Sequence, residues 1–158
     1  MRKKARTPQE LGVEFQDEVQ KVFETLQKST LRRLRFHRFY DSRSAGGYLP
    51  AQPGDFLLCN NGKTVVVEVK LSTVYRSLHS AGALRSLMKA EQAAQMALWT
   101  RAGAEGLVIF KDHENGYVEL WDGAYVAKTR ATERAVLDPL TTFRFPAKDL
   151  QKELSSLY

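Results

Sequence analysis

Asp55, Glu68 and Lys70 form the one acid–acid–ammonium set that this chain places in a short apolar stretch. Two carboxylates converging beside an ammonium make an oxygen-lined site for a hard divalent cation, Mg²⁺ or Mn²⁺, with open positions for water. Such an ion activates a bound water and neutralises charge on a phosphate, and the ammonium can act on either. The convergence is expected from the stretch Gly54 to Lys70, which reads as two apolar strands joined at Asn61-Gly62, a dipeptide suited to the positive φ of a tight hairpin turn. Counting outward from that turn pairs Asn60 with Lys63, Leu58 with Val65 and Phe56 with Val67, and sets Asp55 opposite Glu68. Opposed residues share a face with Cβ atoms about 5 Å apart. Lys70, two residues past Glu68, joins them. Like charges across a ladder repel unless something positive lies between them. The plain alternative makes Asp55 a turn acid and leaves Glu68 and Lys70 on the solvated face of an edge strand. The apolar runs on both sides and the opposed aspartate favour a site.

The helices and strands around these residues are legible in the same chain. Thr7-Pro8-Gln9-Glu10 is a helix start, with Thr7 as N-cap, Pro8 at the first helical position and Glu10 completing a capping box. Leu11, Phe15, Val19, Val22, Phe23 and Leu26 then form one apolar stripe ending near Lys28. Residues 34 to 41 read as the first strand. Residues 42 to 53 read as a long turn-rich loop that delivers the chain to Asp55. Beyond the hairpin, 72 to 88 reads as loop and short helical turns, and 86 to 102 as a helix stopped by Gly103. Strands follow at 106 to 111 and 117 to 121, with turns at His113 to Gly116 and at Asp122-Gly123. A short helix is expected near Thr132 to Val136, then a strand at Phe143 to Phe145 and a last helix from Pro146 to about Leu157. Helices returning a hairpin to a mixed sheet make an α/β layered domain with an αβββαβ core flanked by helices.

Composition narrows the partners. The 158 residues are 43% hydrophobic, enough for one sizeable core, and are expected to form one domain, 7 to 158, behind a basic arm at 1 to 6. Net charge is +6, and residues 1 to 43 hold 11 Lys/Arg against 6 Asp/Glu. That asymmetry points to a polyanion, nucleic acid before membrane, because no stretch is apolar and long enough to span a bilayer. Arg2, Lys3, Lys4 and Arg6 in the arm, with Arg32, Arg33, Arg35, Arg38 and Arg43, are the candidate phosphate contacts, and Phe36, Phe39 and Tyr40 among them offer stacking surfaces. A solvated strand face is the other reading of that segment. No apolar segment follows the basic N-terminus as in a signal peptide, and the one cysteine, Cys59, fits a reducing cytoplasm and a place in the core. His37, His79 and His113 have no metal-ligand spacing, and Trp99 and Trp121 read as core or interface residues.

An Asp at the start of one strand followed by Glu-x-Lys on the next resembles the signature of the PD-(D/E)xK nucleases, with Gly54-Asp55 for the PD and Glu68-Val69-Lys70 for the ExK. Three further segments are similar to the resolvase branches of that superfamily, the archaeal and phage Holliday junction resolvases and the RecU-type enzymes. Gly12-Val13-Glu14-Phe15-Gln16 resembles the first-helix pattern, with Gln16 where those enzymes place a metal-approaching Glu. Glu14 and Glu18 point about 160° away from that position. Arg43-Ser44-Ala45-Gly46-Gly47 is similar to a loop whose serine lies near the scissile strand, and Lys89-Ala90-Glu91-Gln92 to a helix carrying a Gln beside the active site. The resemblance covers roughly residues 10 to 111. It implies a restriction-endonuclease-like fold and a Mg²⁺- or Mn²⁺-dependent endonuclease of branched DNA, most like a Holliday junction resolvase. Asp55, Glu68 and the Val69 carbonyl would hold the metal. Lys70 would position water or phosphate, with Gln92, Ser44 and Gln16 around them. Paired nicks imply a homodimer, since two cuts related by a two-fold axis need two sites. The same resemblance implies a prokaryotic or phage-infected cytoplasm. Two alternatives stay open: a restriction-like or repair nickase on duplex or flapped DNA, and a non-catalytic DNA-binding protein on a decayed nuclease fold.

Overall fold

The computed structural model describes residues 5–29, 33–40 and 51–158. Helix α1 (Pro8–Lys28) begins on the expected capping box: Thr7 accepts from the Glu10 N–H, and Glu10 accepts from the Thr7 N–H. The strands are β1 (Leu34–Arg38), β2 (Phe56–Asn60), β3 (Lys63–Ser72), β4 (Glu105–Asp112), β5 (Tyr117–Asp122) and β6 (Phe143–Pro146). They form one sheet in the order β1-β2-β3-β4-β5-β6. Every neighbouring pair is antiparallel except β3 and β4, whose parallel pairing requires the crossover supplied by α2 (Ala81–Leu87) and α3 (Ala90–Arg101). Helices α4 (Gly123–Arg130) and α5 (Leu150–Leu157) complete the layers. The mixed sheet flanked by helices and the αβββαβ order are those expected from the sequence.

Both faces of the sheet are packed. On one face α1 buries Phe15, Val19, Phe23 and Leu26 against Phe56, Leu58, Val65, Val67 and Val69, and α5 adds Leu150 and Leu154. On the other, Leu84, Met96 and Val126 of α2, α3 and α4 close over Val66, Val108, Phe110 and Trp121. Strand alternation therefore gives Val65, Val67 and Val69 to the α1 side and turns Glu68 and Lys70 toward α3.

The hairpin turn is as expected, with Asn61 and Gly62 both at positive φ, 51° and 81°. The register holds from Asn60–Lys63 to Phe56–Val67. It does not continue to Asp55 and Glu68 as counted. The Asp55 N–H bonds at 2.8 Å to the carbonyl of Val67, the residue already paired with Phe56, so two residues of one strand oppose one of the other in the manner of a β-bulge.

Elsewhere the structure corrects several expectations. The helix expected over 86 to 102 is two helices, because Met88 leaves helical geometry to bury its side chain in the second core, and its carbonyl accepts from Arg130 Nε at 2.8 Å. Asp122-Gly123 is no turn but the start of α4, capped by Asp122 through the Tyr125 N–H at 2.7 Å. The helix expected at 132 to 136 is an irregular segment that inserts Ala135 and Leu137 into the core. The first strand stops at Arg38, and the last helix begins at Leu150 after a 3₁₀ turn, Ala147–Asp149. Cys59 is exposed, not core: it pairs laterally with the exposed Arg35, on the part of the sheet that α2, α3 and α4 leave uncovered. Among the described residues no helix is long and apolar enough to cross a membrane.

Candidate active site at the end of strand β2

Strand β2 starts at Phe56 while its partner β3 runs on to Ser72, so the backbone of β3 beyond Val67 has no neighbour on that side. The bulge drops Asp55 into this gap. Its Oδ2 accepts from the Val69 N–H at 2.7 Å, a donor that a longer β2 would have consumed in the ladder. Its Oδ1 accepts from Gln16 Nε2 at 3.2 Å, which ties the gap to α1. Asp55 is thus reached from the α1 face, whereas Glu68 and Lys70 are reached from the opposite face by α3.

Glu68 is almost fully buried, with 2% of its surface exposed. Its Oε1 accepts from Lys70 Nζ at 2.6 Å and from Gln92 Nε2. Gln92 Oε1 also accepts from Lys70 Nζ at 3.0 Å and from the Lys89 N–H at 3.1 Å. The break between α2 and α3 places Gln92 in the first turn of α3, where its carbonyl satisfies a free helix N–H while its amide nitrogen faces Glu68. Burial pushes the Asp55 carboxyl up to about 7, and the charge of Glu68 adds to the rise. Lys70, the Val69 N–H and Arg38 act in the opposite direction.

The arrangement tests whether a divalent cation suits the residues present. Two carboxylates, one just before β2 and one on β3, border one cleft, and the first is held far above its ordinary titration range by burial and by the other's charge. A hard cation between them would relieve both effects, and Mg²⁺ needs only one or two carboxylates beside waters and phosphate oxygens. The Val69 carbonyl points to the same side of β3 as its N–H and so toward Asp55. Among the described residues no cluster of three or more His, Cys, Asp or Glu side chains could hold a metal ion, so a cation at these two carboxylates would have to complete its shell with water and substrate oxygens.

The cleft, about 710 Å³, is lined by α1 (Gln9, Gly12, Gln16), by Arg38 at the end of β1 with Phe39 and Tyr40 after it, by Gln52 and Gly54, and by Glu91, Gln92 and Gln95 of α3. The amides were not all foreseen. Gln9 lies two turns before Gln16 and Gln95 one turn after Gln92, so helical period applied to the polar faces was the signal for both. Among the expected DNA contacts, Arg33 and Arg35 are exposed, and Arg6 is held at 2.6 Å by Glu14. Arg38 is turned inward to Asp17 with its side chain 13% exposed. Phe36 is not a stacking platform, since its ring packs against Phe23 and Phe56 in the core. Phe39 lines the cleft and Tyr40 is exposed. Arg2, Lys3, Lys4, Arg32, Arg43 and Ser44 lie outside the described residues.

Gly54 fixes the height of Asp55 in the gap. A Cβ there would stand 2.6 Å from the Val67 carbonyl oxygen and 3.1 Å from a Val66 methyl. Gly54→Ala must therefore push the bulge off β3, with an expected loss of about 1–3 kcal/mol of stability. Chemical denaturation measures that loss. A substitution without effect would mean the bulge is free to shift.

No protein-family model matches the chain, and no curated protein matches it. Among solved structures the chain is similar to Hjc of Archaeoglobus fulgidus, described as a Holliday junction resolvase from an archaeal hyperthermophile. The identity is 16%, the match covers 86% of this chain and 85% of that one, and the TM-score is 0.43.

Proposed function

We propose that the chain is a divalent-metal-dependent DNA endonuclease, and within that class a resolvase that makes paired nicks in four-way junctions. The observation that carries the nuclease reading is that Asp55, Gln16, Glu68 and Gln92 border one cleft from four separate elements, with Lys70 bonded to Glu68 and Gln92. The finer reading rests on the similarity of Gly12 to Gln16, Arg43 to Gly47 and Lys89 to Gln92 to the resolvase branches, in the same chain order relative to Asp55, Glu68 and Lys70. A homodimer follows from that reading, because two symmetric nicks need two sites.

Asp55, Glu68 and the Val69 carbonyl would hold the Mg²⁺ or Mn²⁺. When bound, that ion supplies a water of lowered pKa and charge stabilisation at the scissile phosphate. The residues themselves do the rest. Gln92 holds Lys70 and Glu68 in register from α3, leaving an ammonium proton for a phosphate oxygen or the attacking water. Val69 and Gln16 fix both oxygens of Asp55, so the carboxylate does not reorganise when substrate arrives. Basic side chains on and around β1, with Arg33 and Arg35 exposed, would contact DNA phosphates outside the cleft.

A synthetic four-way junction and a linear duplex of matching sequence, each with Mg²⁺ or EDTA, test both levels. Symmetric Mg²⁺-dependent nicking of the junction alone is expected. Equal cutting of both substrates would keep the nuclease and discard junction selectivity. Tight binding without cleavage under any metal would favour the DNA-binding alternative, to which the single amide at position 16 lends its only specific support.

A further inference from the structure

Gln16 is held from both ends. Its Nε2 donates to Asp55 Oδ1 at 3.2 Å, and its Oε1 accepts from an Arg38 guanidinium nitrogen at 3.2 Å. Arg38 is fixed in turn from α1, donating at 2.6 Å to Asp17 and at 2.8 Å to Gln20. A side-chain amide has one acceptor end, and here that end is committed to a guanidinium. The end presented to Asp55 is a donor, which a cation does not coordinate. The Arg38 charge, shared with Asp17 at 2.6 Å, therefore stands one amide away from Asp55, with its own side chain 13% exposed.

The charges around the cleft point the same way. Asp17, Asp55, Glu68 and Glu91 border it, against Arg38 and, on Glu68, Lys70. One divalent ion brings these groups to neutrality, and a second would overshoot it before any phosphate enters.

We propose that the site holds a single divalent cation between Asp55 and Glu68, and that Arg38, acting through Gln16, takes on the α1 side the electrostatic place of a second. Arg38 is then a positioning residue of the site and not a DNA contact. The inference rests on the metal-dependent reading above and specifies its stoichiometry. It also makes the Gln at position 16 a working part: a Glu there would add a carboxylate beside Arg38, leaving with one ion bound a single net negative charge, half of what a second divalent ion carries.

Calorimetric titration of Mn²⁺ into the DNA-free chain tests this, at about pH 8 so that the carboxylate ligands are ionised. The wild type is expected to take one equivalent and to show the spectrum of an isolated Mn²⁺ in electron paramagnetic resonance. Gln16→Glu is expected to stay at one. Gln16→Glu with Arg38→Gln, which exposes a third carboxylate to the site, is expected to take two, spin-coupled at the separation of about 3.5–4 Å of two-metal sites. Because Arg38→Gln loosens α1 from β1, the double variant is read only with a native circular dichroism spectrum, and the other two proteins decide without it. Two equivalents in the wild type or in Gln16→Glu would overturn the single-ion assignment and leave the metal-dependent reading standing, as would one equivalent in the folded double variant. No bound Mn²⁺ in the wild type would overturn both.

Discussion

Asp55→Asn is expected to lower Mg²⁺-dependent cleavage by about 10²–10³, the scale of removing a group that stabilises developing charge. In the absence of metal the same variant is expected to be more stable than the wild type at pH 8. The folded state holds the Asp55 carboxyl up to about 7, against an ordinary value of 3.8. Between those values the folded chain keeps a proton that the unfolded chain releases, so wild-type stability falls as pH rises through that window. Above about 7 the whole penalty of an ionised, desolvated carboxylate beside Glu68 is present, and the amide escapes it. Thermal melts in EDTA should place the variant above the wild type at pH 8, with the gap closing or reversing by about pH 5, where Asp55 is protonated. The amide cannot accept from both Val69 and Gln16, which moderates the gain. A gap independent of pH would mean that Asp55 is better solvated than its place in the gap implies. Lost cleavage together with raised metal-free stability is the pattern of a charge kept for function.

Lys70→Met is the second large effect and has the opposite sign on stability. Glu68 and Lys70 have side chains only 3% and 12% exposed, and their contact is 2.6 Å. Removing the ammonium leaves Glu68 buried with Gln92 as its remaining side-chain donor. Breaking a buried pair in this way costs about 3–5 kcal/mol, most of it the penalty of the uncompensated charge. The double variant Glu68→Gln with Lys70→Met removes that charge as well and should recover most of the loss, since replacing both members of a buried pair is often neutral. Urea midpoints for the two singles and the double close the cycle. Cleavage should fall by about 10²–10³ in the Lys70 single and stay down in the double, separating the structural role of the pair from its chemical one. Lys70→Arg should not restore activity, because a planar guanidinium does not fit the position of a compact ammonium between Glu68 and Gln92. A loss below about 1 kcal/mol in Lys70→Met would show that water reaches Glu68.

The hairpin, its turn and its register as far as Phe56 and Val67 are legible in the chain's residues alone, because Asn61-Gly62 and the period of two are local signals. The sequence specifies α1 through the capping box and the apolar stripe, and the αβββαβ order through the alternation of helical and strand periods. It also picked out residues that the fold assembles, Asp55, Glu68, Lys70, Gln16 and Gln92. The tertiary structure alone decided how they meet. Counting placed Asp55 and Glu68 directly opposite one another, but the ladder ends in a bulge, and Asp55 joins the site through the Val69 N–H and Gln16. Nothing local marks a bulge here, since Gly54 acts through a Val67 carbonyl 13 residues away in the chain. The break that sets Gln92 in a helix first turn was hidden for the same reason: Met88 looks like helix interior until the core that receives it exists. The helix at Gly123 was hidden too, because its capping aspartate and glycine are also turn residues. Arg38 is the clearest case. Its charge was legible, but whether a guanidinium on a strand faces a phosphate or a helix amide depends on which helix packs across it, and in this chain α1 holds it in place.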